Sequence, residues 1–218
     1  MTQKSFNKYQ VRGAYHWEWY RTNKNSYRDY AIQTLNYFPR SGSLLDIGCG
    51  DGRLAYVFFL HGFIVNGIDL DSVGIELGQR EILKHYFLSR PHEIFQALLS
   101  GNLLSYVENK GIRLQQLSIY DFSSTNEYQY SICMEVIEHV PEPQFLVEKI
   151  LQVTREYAVL STPNGEYCQP ADEDYQFWTP DEFMKMLGSE RSQLLHVSRD
   201  RIFVRLSNKA ENRKISLF

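Results

Sequence analysis

The sequence predicts an α/β protein built on a mostly parallel sheet with helices on both faces. Three observations carry this. Strand-like and helix-like segments alternate five times, which calls for right-handed crossovers between parallel strands. A glycine-rich turn joins the first strand to the first helix behind it. The described order then breaks, because two strand-like runs close the chain as an antiparallel hairpin. At 218 residues the chain has room for one domain and a modest appendage.

The elements follow in order. Residues 26–38 carry Tyr27, Tyr30, Ile32, Leu35 and Phe38 at helical spacing, and Pro39 and Gly42 stop the helix. Ser43–Ile47 is a short apolar run, as expected of a strand buried on both faces. Arg53–His61 is a helix ended by Gly62, Phe63–Leu70 a second strand, and Ser72–Phe87 a second helix. Residues 90–110 read as a helical insertion, with Ile94, Leu98, Leu99, Leu103 and Val107 recurring every three to five positions. Ile112–Ile119 and Tyr130–Met134 are the third and fourth strands, Pro143–Val153 a helix, and Tyr157–Ser161 the fifth strand. Thr179-Pro180-Asp181-Glu182 reads as a helix cap, a proline at the first helical position and acids in the first turn. Leu194–Val197 and Ile202–Leu206 make the closing hairpin. Residues 1–25 stand apart as an aromatic N-terminal lid segment, and residues 26–218 form the main domain.

Composition excludes several classes. The chain is 43% hydrophobic and 22% charged, so it is neither disordered nor collagen-like. A net charge of −3 gives no whole-molecule attraction to nucleic acid. Cys49, Cys133 and Cys168 are too scattered for a zinc site and suit a reducing compartment; Cys49 and Cys133 read as small buried side chains. The first twenty residues have no apolar leader core, and no run approaches the ~18 apolar residues of a membrane span. A cytoplasmic protein is expected.

The strongest motif is Leu44-Leu45-Asp46-Ile47-Gly48-Cys49-Gly50-Asp51-Gly52-Arg53. Gly48 and Gly50 allow a tight turn and a close backbone approach, and a helix N-terminus follows. The spacing is GxGxG rather than the GxGxxG of dinucleotide sites. Asp46, two residues before Gly48, would repel a pyrophosphate and suit a cationic amino group. Asp69 ends the second strand 21 residues after Gly48, where a carboxylate accepts ribose hydroxyls. Two acids and no phosphate binder point to S-adenosylmethionine rather than NAD.

With VNGIDLD and YSICMEVIEHVPEP, this loop resembles the class I S-adenosylmethionine-dependent methyltransferase family over residues 43–165. The resemblance implies a seven-stranded sheet whose last strand is antiparallel. It also implies that Gly48, Cys49 and Gly50 line the methionine moiety with Asp46 near its amino group. Asp69 would hold the ribose, Leu70 pack on adenine, Ser118 and Ile119 edge the base, and Met134 sit beside the sulfonium.

Glu135-Val136-Ile137-Glu138-His139 follows the fourth strand, and three readings stay open. His139 is a general base for an acceptor hydroxyl. Alternatively Glu135, Glu138 and His139 hold a metal. Or all three are structural. The metal reading rests on a resemblance to small-RNA 3′-terminal 2′-O-methyltransferases, which carry two later histidines. Here the matching stretch, Asp172 to Trp178, has none. The same segment is at least as similar to the ubiquinone-type small-molecule O-methyltransferases. Acceptor contacts are expected from Tyr15, His16 and Tyr20 in the aromatic N-terminal segment, and from Asn164 and Tyr167 after the fifth strand. The expected function is O-methylation of a small molecule, with no metal and with nucleic acid disfavoured by the acids at 172–174. A non-catalytic cofactor-binding scaffold is a further alternative.

Overall fold

A computed structural model describes residues 7–123 and 125–207; the first six residues of the expected lid lie outside the described residues. The chain divides into two compact units, Met1–Ser118 and Ile119–Phe218.

The first unit opens with helices α1 (Lys8–Arg12), α2 (Tyr15–Thr22) and α3 (Tyr27–Leu35). Strand β1 (Gly42–Ile47), helix α4 (Arg53–Leu60), strand β2 (Phe63–Asp69) and helix α5 (Ser72–Ser89) follow. Short helices α6 (Ile94–Leu99) and α7 (Leu103–Glu108) precede strand β3 (Ile112–Gln116). The strands lie in the order β3-β2-β1 and are all parallel, with Leu44 opposite Val65 and Val65 opposite Ile112. Leu44, Leu45 and Ile47 are all buried, as a strand covered on both faces requires. Helix α4 buries Leu54 through Phe58 without a polar break. Asp71 caps α5 by accepting from the N–H groups of Val73 and Gly74 at 2.9 and 3.2 Å. Gly78 lets α5 approach the glycine turn: a Cβ there would stand 2.6 Å from the Asp51 carbonyl oxygen.

The insertion is helical as expected, in two pieces. Glu93 ties them to α5, accepting from the Tyr86 and Tyr106 hydroxyls at 2.7 and 3.0 Å and pairing with Lys110 at 3.4 Å. The Tyr86 hydrogen bond is the main reason its carboxyl sits below the usual range. Strand β3 is shorter than the expected Ile112–Ile119. The Leu117 N–H bonds the Asp69 carbonyl at 3.0 Å, and Ile119–Asp121 turns into a 3-10 helix.

The second unit contains β4 (Tyr128–Met134), α8 (Pro143–Val153), β5 (Thr154–Pro163), α9 (Pro180–Leu187), β6 (Ser192–Val197) and β7 (Arg201–Leu206). The order is β4-β5-β7-β6; β4 and β5 are parallel, and β7 runs antiparallel to both its neighbours. The expected closing hairpin is present, with Val197 opposite Ile202. Strand β5 starts three residues before the expected Tyr157, where the Thr154 and Ser131 hydroxyls bond at 2.6 Å across to β4. Helix α8 buries Leu146, Val147, Ile150 and Leu151, one stripe at helical spacing. Thr179 and Glu182 form a reciprocal capping box at the start of α9. Among the described residues no helix is long and apolar enough to cross a membrane.

Candidate functional site

In the first unit, Gly48, Gly50 and Gly52 all have positive φ (73°, 55° and 69°), so β1 reverses into α4 within five residues. The N–H groups of Gly48 and Cys49 are held by the Ile68 carbonyl at 2.8 and 3.0 Å. Asp69 fixes the turn from the end of β2. Its Oδ2 accepts from Gly50 N–H and its Oδ1 from Asp71 N–H, both at 2.8 Å. A carboxylate has about four acceptor positions, so ribose hydroxyls can still be bound.

Asp46 is 2% exposed, and its Oδ2 has no hydrogen-bond partner among the described residues. Burial, then the nearby charge of Asp69, push its carboxyl up to about 8. A buried acceptor without a donor is costly, and a ligand ammonium would satisfy it. The chemistry of these residues therefore fits S-adenosylmethionine. Cys49 turns its sulfur into the sheet, where a Cβ on Gly67 would meet it at 2.9 Å; burial pushes the thiol up. What Cys49 offers a ligand is its backbone. Leu70 is 62% exposed, Ser118 is half-buried at the end of the unit, and Ile119 is buried in its 3-10 turn.

The N-terminal aromatic segment packs on the glycine turn. The fully buried Asp51 receives the His16 N–H at 2.9 Å, and the His16 Nδ1 stands 3.1 Å from its other oxygen. The Trp17 indole N–H bonds the Asp51 carbonyl at 2.8 Å. The His16 ring is enclosed by Tyr15, Tyr27 and Trp19, with centroids at 4.1, 4.9 and 5.6 Å. Tyr20 covers the buried Arg53 guanidinium at 3.7 Å, with Trp17 at 4.7 Å, so the rings receive that charge. Tyr15 and His16 are thus packed together on the turn, and Tyr20 lies on Arg53 at the start of α4. Tyr9 and Asp51 were not among the expected site residues; the approach of Tyr9 to Gly50 and of Asp51 to His16 spans tens of positions, and no local pattern announces it.

Tyr9 also explains why Gly50 is glycine. A Cβ at Gly50 would lie 1.8 Å from the Tyr9 hydroxyl oxygen, at a φ of 55°. Gly50→Ala is expected to destabilise by about 2–4 kcal/mol from overpacking and backbone strain. Calorimetry should register a fall in the thermal midpoint of roughly 5–15 °C. Tyr9→Phe in the same background removes the colliding oxygen and should recover part of the loss; no recovery would place the strain in the backbone alone.

In the second unit, Met134 ends β4 buried, and Glu135 takes a left-handed backbone with φ 59°. That conformation is uncommon for a residue with a side chain and marks a constrained site. Glu135 Oε1 accepts from the Ser161 hydroxyl at 2.8 Å, and Oε2 stands 3.5 Å from Arg201 Nε. Ile137–His139 forms a 3-10 turn. Glu138 is 1% exposed, and burial, then Glu135, push its carboxyl well up. His139 presents Nδ1 to Asp174 Oδ1 at 3.0 Å and Nε2 to Glu138 Oε1 at 4.0 Å.

The metal alternative is corrected here. Among the described residues no group of three or more His, Cys, Asp or Glu is arranged to hold a metal. Glu135 is held instead by the Ser161 hydroxyl and Arg201. Asn164 is also corrected as an acceptor contact. It is fully buried, donating from Nδ2 to the Ser198 carbonyl at 2.8 Å and accepting the Glu166 N–H at 3.1 Å. It fastens the loop after β5. Tyr167, on that same loop, is 60% exposed.

A glycine turn after β1, with carboxylates at the ends of both β1 and β2, defines a nucleoside-cofactor domain of the α/β class. Residues 17–197 match the methyltransferase-domain family. The chain belongs to it, and is by family a class I S-adenosylmethionine-dependent methyltransferase. The ubiquinone biosynthesis O-methyltransferase of Vibrio vulnificus (strain YJ016) is 30% identical over 124 residues, 56% of this chain and 40% of that protein. The chain spans about 40% of the length of the curated relatives it matches. A S-adenosylmethionine-dependent methyltransferase from Aquifex aeolicus has a TM-score of 0.59 at 12% identity, covering 81% of this chain and 88% of that one. The geranyl diphosphate C-methyltransferase from Streptomyces coelicolor A3(2), solved with Mg2+, geranyl diphosphate and S-adenosyl-L-homocysteine, gives 0.57 at 13%, covering 82% and 77%. These likenesses support the fold expected from the sequence, a seven-stranded methyltransferase sheet that is mostly parallel and ends antiparallel.

Proposed function

We propose that this domain methylates a hydroxyl oxygen of a small molecule, with His139 as the general base. The observation that carries this reading is His139 itself. Its imidazole follows β4 with a carboxylate at 3.0 Å, an arrangement suited to taking a proton. An amine or carbanion acceptor has less need of such a base. The similarity to a protein named as an O-methyltransferase supports the same choice over the segment the two share. The acidic run at 172–174, with Asp174 3.0 Å from His139, disfavours a phosphate backbone and hence an RNA acceptor.

Each residue then has a defined task. Asp46 receives the cofactor's ammonium and Asp69 its ribose hydroxyls, while the backbone of Gly48, Cys49 and Gly50 lies along the methionine. Leu70, Ser118 and Ile119 are assigned to the adenine, and Met134 to the methionine tail. When bound, S-adenosylmethionine supplies a methyl group already activated on a sulfonium. The protein's remaining work is orientation and removal of one proton from the acceptor hydroxyl, which His139 takes on Nε2. Tyr167 is the exposed candidate for acceptor contact; Tyr15, His16 and Tyr20 act through the N-terminal segment. A cytoplasmic location belongs to the same proposal.

The test is product analysis with methyl-labelled S-adenosylmethionine. Phenols, catechols and aliphatic alcohols are offered beside amines, a carbon acceptor and an RNA ending in a 2′,3′-diol. A methyl ether on a small hydroxyl compound is expected. Exclusive labelling of nitrogen, carbon or the RNA end would overturn the proposal.

A further inference from the structure

We infer that Asp174 is the positioning residue of the reaction, holding the His139 ring so that Nε2 is the nitrogen that takes the proton. The inference rests on His139 as the base and deepens that reading. Asp174 belongs to an acidic run, Asp172-Glu173-Asp174, that by sequence alone is a solvated loop. In the structure its side chain is 5% exposed. Its Oδ1 stands 3.0 Å from His139 Nδ1, and its Oδ2 accepts the Ala171 N–H at 2.6 Å. The Asp174 N–H closes the same loop on the Ala171 carbonyl at 3.0 Å.

The loop is then fastened to the turn that carries the histidine. The N–H groups of Tyr175 and Gln176 both bond the Glu138 carbonyl, at 2.9 and 3.1 Å. Two backbone bonds and one carboxylate contact therefore converge on Glu138 and His139 from a segment 35 residues further along the chain. The imidazole faces one acid on each nitrogen: Asp174 at Nδ1 and Glu138 Oε1, at 4.0 Å, at Nε2. Glu135, paired with Arg201, is near enough to Glu138 for its charge to act on that carboxyl. Of the two acids facing the ring, Asp174 is the nearer, at ion-pair distance from Nδ1. It favours the tautomer protonated at Nδ1, which assigns the lone pair to Nε2. An aspartate that sets a histidine's tautomer in this way supports proton removal without itself becoming protonated.

The experiment compares wild type with Asp174→Asn, Asp174→Glu and His139→Gln. Ring nitrogens of 15N-labelled protein are read by NMR, with His139 assigned by its absence from His139→Gln. Wild type is expected to show His139 protonated at Nδ1. Asp174→Asn should move that population toward Nε2, and Asp174→Glu should keep it at Nδ1. Turnover should fall roughly 10²–10⁴-fold in Asp174→Asn, with the acceptor KM and the cofactor Kd within about twofold of wild type and partial recovery in Asp174→Glu. An unchanged tautomer in Asp174→Asn overturns the inference even if activity drops. Full activity in His139→Gln overturns the base reading instead, and the NMR result separates the two failures. Circular dichroism and the thermal midpoint identify a variant that has failed to fold, and Asp174→Glu then stands as the test.

Discussion

Asp46→Asn is expected to weaken S-adenosylmethionine binding by about 100-fold while making the cofactor-less protein more stable. The two effects come from one atom. Asp46 is buried at the end of β1 with an oxygen that has no partner among the described residues. Removing one member of a buried charge pair typically loses about 3 kcal/mol or more, and 1.4 kcal/mol is tenfold in affinity. Without the ligand, the same carboxylate is a liability. Its folded-state value is pushed from 3.8 to about 8, so the folded protein holds a proton there that the unfolded chain has released. Stability therefore falls as pH rises from about 4 to about 8 and levels off above that. Asparagine removes this dependence. The amide brings N–H donors that themselves need partners, so a net gain of about 1–3 kcal/mol at pH 8 is expected, shrinking towards pH 4. Titration calorimetry and thermal denaturation across that range check both signs. A variant that binds S-adenosylmethionine as tightly as wild type would remove Asp46 from the cofactor site.

His139→Gln is the second large effect. Turnover should fall roughly 10²–10⁴-fold, the usual contribution of a general base. Cofactor affinity should remain within about twofold of wild type, because the ammonium and ribose are assigned to Asp46 and Asp69. Glutamine keeps a polar side chain in the turn but cannot accept the proton. Single-turnover measurement with saturating cofactor isolates the chemical step. A variant that turns over at the wild-type rate would eliminate His139 as the base and leave it a structural partner of Asp174.

Much of the first unit was legible in the sequence because its information is local. The end of a strand, three glycines and the start of a helix lie within Leu44–Arg53, and Asp69 ends the next strand; short-range rules suffice for both. Helix α8 matched its expected bounds because Pro143 fixes its start and its apolar stripe is clean. The failures share a cause. Asp51 and His16 meet across 35 positions, as do Asp174 and His139, and no periodicity encodes such a pairing. Pro163-Asn164-Gly165 reads correctly as a turn, yet burial of the Asn164 amide depends on the Ser198 carbonyl far along the chain. Strand β3 looked longer than it is because its apolar pattern runs on through Ile119, while the backbone turns after Gln116.

The fastening of α2 to the glycine turn has an optical consequence. Trp17 donates its indole N–H to the Asp51 carbonyl, stacks on His85 at 4.8 Å and lies beside the Arg53 guanidinium. An indole in such contact emits according to the polarity and charge around it, and an imidazole stacked on it quenches. Any rearrangement of the turn that carries Gly48 to Gly52 changes that environment at once. With only three tryptophans in the chain, replacing Trp19 and Trp178 by phenylalanine leaves one fluorophore at residue 17. The protein thus carries a built-in dye on its glycine turn, and its emission can follow ligand arrival in real time without any label.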